Sequence, residues 1–544
     1  MTDGLLTNAY YATRLYELTL GTKPAVLDRV PVDAWLGEPL NANAMFQGRY
    51  SAAGQEVVNP NQAPWHLDAG PAWRAFFNGF EWLRDFRAVG GNVARQRARE
   101  LTQSWLLANP RWSATVWRPD VLGRRVAAWI HHSDFLLNGG KAEFVAPFLL
   151  SLGRQVRHLR RMAGKGPSGH RKLTAIVGLN VAAIAIAGAA RWRDHAQRLL
   201  EDEIARQVLA DGGHVERNPS VHFTVLRDLI GLRLALAEAR VEPSAAIVAA
   251  IVAAIERMTP MLRFFRHGDG ALALFNGGGE EAASAIDATL ARAESRGRPP
   301  VSAHASGFER LAAGRTTLVL DAGAPPPTPY DTSAHAGCLS FEMSIGGARL
   351  IVNCGAPLAP ESPWAEPLRA TAAHTTVVLA DTNALDLRPG SGVRRRPKAI
   401  AATRRDGDDG TQTVEARHDG YAANFGVEHH RRLTLHRTGD RVTAEDRLVA
   451  SPGHPPSSTA VAPFVARFHL HPDVRASLQQ DRRAVILRLA RGTGWVFEAE
   501  NGDLAIEESI YLGRGQPRRT SQIVMSGTVA AGAGFSWSLA RVGD

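Results

Sequence analysis

Cysteine is almost absent: the 544 residues include two, Cys338 and Cys354. Neither sits in a Cys-x-x-Cys, which excludes a disulfide framework and zinc-finger spacing. Both are expected as free buried thiols rather than as a bridge between neighbouring strands. Lysine is nearly as scarce, five of the 63 basic residues, so arginine carries the net charge of +10. A GC-rich coding bias produces such a composition, and it also suits polyanions, because the guanidinium fork pairs carboxylates and sulfates in bidentate fashion. Met1–Val26 lacks the charged start, continuous apolar stretch and small-residue cleavage site of a secretory signal, so a cytoplasmic location is expected. Long apolar runs are rare. The run nearest to membrane-spanning length, Leu173–Ala190, is mostly Ala and Gly and carries Asn180. It reads as a helix buried in a large helical region, not as a membrane span.

Several motifs are missing too. There is no G-x-S-x-G and no H-E-x-x-H. Gly277–Gly279 follow no strand and precede no Gly-Lys-Ser/Thr, which excludes a phosphate loop. Arg394–Arg396 lack interleaved aromatics and read as a solvated loop, so no nucleic-acid partner is expected.

What is present points to two domains. The chain is too long for one core, and with 45% apolar and 21% charged residues it is globular. Residues 70–300 carry helical periodicity. Pro71–Val89 places Trp73, Phe76, Phe77, Phe80, Trp82, Leu83 and Phe86 on one stripe. Similar patterns cover Asn92–Leu107, Pro119–Leu137, Lys141–Met162, Arg171–Ala190, Arg191–Ala210, Val221–Ala239, Ser244–Arg263 and Gly278–Ser295. Helices with short links predict antiparallel hairpins in a bundle or a closed toroid. After RGRPPVSAHASG (296–307) the period changes to strands with β-branched residues, which predicts a large antiparallel β-sandwich. Expected domains are therefore 1–300, its first ~40 residues an extension or the first helices, and 301–544, with a ligand groove between them.

Three regions concentrate polar chemistry. GPSGHRK (166–172) offers Ser168 as a helix N-cap, with His170, Arg171 and Lys172 at the mouth, where free N–H groups and the dipole attract anions. A carboxylate site and an ordinary capped helix both fit. DGGHVERNPSVHF (211–223) gathers His214, Glu216, Arg217, Asn218 and His222 in a loop that is either ligand-binding or structural. On the strands lie His374, His429, His430, His469 and His471. Alternate positions share a face and could hold a metal, or serve as half-buried aromatics.

The order of FQGRYSAAGQEV, FNGFEWLRDFRAVG, WRPDVLGRRVAAWI, SGHRKL, DGGHVERNP, HAGCLSFEMSIGGARLIVNCG, RATAAHTTVVLAD, HHRRLTL, AEDRLV, RFHLHPDV and EESIYL resembles the heparinase II/III-like polysaccharide lyases. The likeness runs from near residue 40 to the C-terminus. It implies an α/α toroid, an incomplete barrel of helical hairpins, followed by a β-sandwich bearing an A-H-x-T. It further implies cleavage of a uronic-acid-containing acidic glycan by β-elimination. In that reaction a base removes the proton α to the carboxylate, charge develops on the carboxyl group, and the 4-linked sugar leaves. By resemblance His170 neutralises the carboxylate, and His374 acts as base or acid.

Where relatives carry a P-x-Tyr-His-like element, this chain has Pro219-Ser220-Val221-His222. Valine transfers no proton, so either His222, His214 or another residue supplies the base, or elimination activity is lost; of these His222 is the named candidate. Thr375 stands where relatives commonly have Asn. Arg125, Trp129, His214, Glu216, Arg217 and Asn218 are expected to position the sugar, with Trp129 as a stacking platform. No cofactor is required. A structural zinc, present in some members, would draw on His374 or His430. The expected partner is an acidic oligo- or polysaccharide; the sequence leaves the oligomeric state open. The alternatives are an inactive glycan-binding or scaffold protein on the same fold, consistent with Val221, and a glycoside hydrolase. For the hydrolase the two helix-mouth loops supply only Asp211 and Glu216 as paired carboxylates.

Overall fold

The computed structural model describes residues 9–239, 243–453, 462–490, 494–529 and 533–542. They form two compact units. One holds the described residues up to Gln207 with Thr224–Ile255 and Ala359–Glu361; the other holds Val208–Phe223, Glu256–Leu358 and the described residues from Ser362 onward. These units differ from a single division at residue 300 in that the 208–223 loop and the stretch after 255 group with the strands. Arg217 Nη2 donates to Asp321 Oδ1 at 2.5 Å, Ser306 N donates to Asp211 Oδ2 at 2.7 Å, and the Phe265 ring packs edge-on against Phe308 at 5.1 Å.

The first unit is helical. Helices Gly91–Ala108, Pro119–His131, Ala142–Met162, His170–Ala185 and Ala190–Gln207 lie close to the expected patterns. The stripe at Pro71–Val89 is instead two helices, Pro71–Gly79 and Leu83–Val89, parted where Phe80 turns left-handed at φ 63°. Every residue from Leu173 to Ala185 is buried, so this apolar run is a core helix. Its Asn180 is satisfied by donating Nδ2 to the carbonyls of Ile176 and Ala196, at 2.9 and 3.0 Å. Gly178 lets this helix touch Pro119–His131 backbone to backbone: a Cβ there would lie 2.3 Å from Gly123 O. By length and composition one described helix, Ala245–Phe264, could cross a membrane. Its Ile247, Ile251, Ala254, Ile255, Met258 and Leu262 are buried at helical spacing.

The second unit carries the sandwich. One sheet has eight strands in the spatial order Ile400–Asp406, Gln412–His418, Val427–Leu435, Arg441–Ala450, Gly534–Arg541, Gly494–Glu500, Ala484–Arg488, Arg475–Leu478. The other has nine: Asp503–Tyr511, Arg518–Val529, Ala462–Leu470, Ala348–Val352, Phe341–Ile345, Thr316–Asp321, Phe308–Ala313 and Ser302–Ala303, with Val377–Leu379 paired to Ala462–Leu470 off that path. Neighbouring strands in both are antiparallel. Apolar residues alternating inward on each strand fill the space between the sheets. Phe341 stacks on Trp537 at 5.5 Å and Phe464 on Phe535 at 4.1 Å, joining the two layers. Cys338 and Cys354 are free and buried, as expected. Burial pushes each thiol up to about 12.

Candidate functional site

In the strand-bearing unit a short 3-10 turn, Thr371–Ala373, delivers His374 in extended conformation, just before the strand Val377–Leu379. Its Nδ1 lies 2.8 Å from the Ala370 carbonyl oxygen. A carbonyl only accepts, so Nδ1 carries the proton. Burial pushes the His374 pKa down to about 4, against the upward pull of that carbonyl, so the ring is neutral near pH 7. Its Nε2 is then a lone pair, and it faces His335 Nδ1 at 3.2 Å. His335 must be the donor there, which leaves its own Nε2 as a second lone pair.

Among the described residues nothing hydrogen-bonds that Nε2. Burial, His374 and the Arg369 charge hold the His335 pKa well below the ordinary histidine range. At 8% exposed it is the less enclosed of the two rings, against 3% for His374. The backbone around the pair is built for close approach. Gly277 sits at φ 83°, and a Cβ there would lie 3.5 Å from His335 Nε2 and 3.6 Å from Asn218 Nδ2. A Cβ on Gly337 would lie 2.7 Å from His374 Cδ2, so only glycine lets the ring rest where it does. Asn276 Oδ1 accepts from the His335 backbone N–H at 3.2 Å, and Asn218 Nδ2 donates to Asn276 O at 2.8 Å. A neutral imidazole acceptor, oriented by a second imidazole of fixed tautomer, is an arrangement able to take up a proton.

His335 was not singled out from the sequence. It lies in an irregular loop with no strand or helix periodicity, and its partner is 39 positions away. The signal was its place at the head of HAGCLSFEMSIGGARLIVNCG.

The other expected site residues fare unequally. His222, the candidate replacement for tyrosine, is 1% exposed. Its Nε2 lies 2.9 Å from Met258 O, its ring packs on Phe265, and burial pushes its pKa down to about 4, so it stands in the core instead of at a surface. Arg217 is committed to structure: its guanidinium donates to Ser306 O, Gly307 O, Gly323 O and Asp321 Oδ1, and stacks 4.6 Å over the Phe308 ring. Asn218 caps the helix Pro219–Glu238, its Oδ1 accepting from Ser220 N and Val221 N at 2.9 and 3.1 Å. His214 and Glu216 are buried in the same loop, where Glu216 N donates to His214 Nδ1 at 3.2 Å. The loop is therefore a buried brace of the strand-bearing unit.

In the helical unit, Trp129 is fully buried among Phe80, Trp105 and Phe148, which removes it as a sugar platform. Arg125 is equally buried, donating to Gln155 Oε1, Asn78 O and Val116 O beneath the Trp105 ring. Burial lowers it to about 9. His170 is half-buried in the first turn of His170–Ala185. The N-cap there is Gly169 at φ 78°, not Ser168, and it has no side-chain cap. Of its cationic neighbours, Lys172 pairs with Glu203 at 2.9 Å and Arg171 approaches Asp120 at 4.0 Å.

The donors expected for zinc do not fit one. A structural zinc takes four ligands. Both ring nitrogens of His374 are already engaged, and His430 Nε2 faces Glu428 at 3.1 Å on the eight-stranded sheet. Among the described residues no three His, Cys, Asp or Glu side chains are grouped to hold a metal ion.

Family profiles described as "Heparinase II/III N-terminus" and "Heparinase II/III-like, C-terminal" match residues 86–295 and 295–538. A relative, "FtsZ-localized protein C" of Caulobacter vibrioides, is 33% identical over 477 residues, 85% of this chain and 81% of its own. The solved structure of heparinase III superposes with a TM-score of 0.72 at 13% identity, covering 99% of this chain and 91% of that one. A heparan sulfate lyase HepC mutant from Pedobacter heparinus gives 0.64 at 15% identity, covering 99% and 88%. At these identities the structural matches show the fold alone.

Proposed function

Because the chain belongs to the heparinase II/III-like family, we propose that it is a lyase cleaving a uronic-acid-containing acidic glycan by β-elimination. The observation that carries the reading is the bare His335 Nε2 backed by His374. In this reading His335 Nε2 takes the proton α to the sugar carboxylate. The electron pair left behind moves toward the carboxyl group and then forms the ring double bond as the C–O bond to the 4-linked sugar breaks. The proton now on Nε2 is the one the departing oxygen requires. His374 does not touch substrate. It holds the proton of His335 on Nδ1, so that Nε2 is always the free base, and it accepts a stronger hydrogen bond when His335 becomes cationic.

The surplus of arginine favours encounter with a polyanion. The protein works in the cytoplasm on imported or internally made acidic oligosaccharide. The test is incubation with a panel of acidic glycans. Ultraviolet absorbance from an unsaturated sugar supports elimination, and new reducing ends without absorbance support hydrolysis instead.

A second reading is favoured by one observation. Val221 occupies the place of the family tyrosine and its neighbour His222 is enclosed, so the chain can be a glycan-binding or scaffold protein without turnover. The name of its Caulobacter relative, "FtsZ-localized protein C", points such a protein toward the division site. Glycan binding with no product, together with mid-cell fluorescence of a tagged chain, would favour it.

A further inference from the structure

The strand-bearing unit holds a second concavity of about 600 Å3 that shares no residue with the His335–His374 site. It lies where three hairpin turns meet: Gly314–Arg315, Gly346–Gly347 and Thr438–Asp440. Its walls are fixed by backbone. Thr316 Oγ1 donates to Gly439 O at 2.5 Å, Gly346 N to Arg315 O at 2.7 Å, and Arg541 N to Asp440 O at 2.8 Å. A volume of this size falls in the range of small-molecule sites, roughly 300–1,000 Å3.

Its charge is uneven. Five arginines line it against four carboxylates. Three arginines are neutralised at the wall: Arg349 on Asp269 at 2.8 Å, Arg514 on Glu280 at 2.8 Å, and Arg518 on Asp473 at 3.0 Å. Arg315 and Arg541 make no ion pair among the described residues, and both are exposed. Asp440 and the Gly439 carbonyl, on the same lining, supply acceptors. A bare inorganic anion would have no use for them, whereas a sugar would donate its hydroxyls.

We propose that this cavity binds a small acidic sugar, one ring bearing a carboxylate, sulfate or phosphate. Arg315 and Arg541 take the oxyanion and Asp440 accepts from ring hydroxyls. The inference rests on the cavity alone and holds whether or not the chain is a lyase.

Titration calorimetry on the full chain tests it with glucuronic acid, glucose 6-sulfate, glucose 6-phosphate, glucose, and inorganic sulfate and phosphate. At least one acidic sugar should bind tenfold or more tighter than glucose and than its inorganic anion. The double variant Arg315→Ala/Arg541→Ala should weaken that binding at least tenfold with an unchanged melting temperature. His374→Ala should leave it intact, which separates this site from the elimination site. Equal affinity for glucose, equal affinity for the inorganic anion, no binding at all, or binding untouched by the arginine pair would each overturn the proposal.

Discussion

His335 Nδ1 donates to His374 Nε2 across 3.2 Å, and the chain of donors ends at the Ala370 carbonyl, 2.8 Å from His374 Nδ1. Three groups therefore fix two tautomers, and among the described residues the unclaimed lone pair of the two rings is at His335 Nε2. The pKa values of both rings are depressed, so the free-base form persists well below the ordinary histidine value of 6.5. The acid limb of kcat/KM for glycan elimination should accordingly lie below pH 6.5. A pH–rate profile checks this, and an inflection near or above 6.5 would count against His335 as the base.

Gly337 should be a positioning residue. An added Cβ would meet His374 Cδ2 at 2.7 Å, inside van der Waals contact, and the ring cannot retreat without losing Ala370 O or His335. Gly337→Ala should lower kcat about tenfold while leaving KM nearly unchanged, since geometry at the proton-transfer step suffers more than binding. Steady-state kinetics beside a melting curve separates this from simple unfolding.

Stability should fall on acidification. His374 and His222 are enclosed, with pKa values near 4 in the folded chain against about 6.5 unfolded. Between those values the unfolded state binds more protons, so stability rises with pH through that window and is fully present above 6.5. Each ring can contribute on the order of 3 kcal/mol that is lost as pH falls from 6.5 to 4. Thermal melts at pH 7 and pH 4.5 should show a marked drop at the lower pH. A constant or rising melting temperature would contradict the assignment of neutral rings.

Asp446 anchors the interior of the sandwich. It accepts from His429 Nε2 at 2.7 Å, Arg431 Nε at 2.7 Å and Trp537 Nε1 at 3.1 Å; burial raises its pKa, but these cationic and hydrogen-bonding neighbours outweigh burial and hold it below the usual carboxylate range. Arg431 in turn donates to the carbonyl of Thr375, the residue after His374. Asp446→Ala should cost about 3–5 kcal/mol by stranding a buried guanidinium, which denaturant unfolding measures directly.

Much of the architecture was legible before any coordinates. Apolar spacing placed the starts of the helices Pro119–His131 and His170–Ala185 within one residue while overrunning their ends, and alternation announced the sandwich. The misplacements have physical causes. Trp129 shares a helical face with Leu122, Arg125 and Val126, so its spacing already marked it as core, and an aromatic's reputation as a sugar platform outweighed that signal. Arg217 sits at φ 52° in a loop whose polar residues read as ligand-binding. Only tertiary contact shows that its donors are spent on Ser306, Gly307, Gly323 and Asp321. The contact units interleave along the chain for the same reason, since periodicity reports local structure and not which core a segment joins. His335 escaped notice because its role depends on the orientation of a ring 39 residues away.

The most direct test pairs the wild-type chain with His335→Gln and His374→Asn on one acidic glycan that the wild type cleaves, reading ultraviolet absorbance of the unsaturated product. The account predicts product from the wild type and a loss of roughly a hundredfold or more in the His335 and His374 variants, each folded as judged by its melting curve. No unsaturated product from any uronic-acid glycan, or full turnover by the His335→Gln chain, would contradict it.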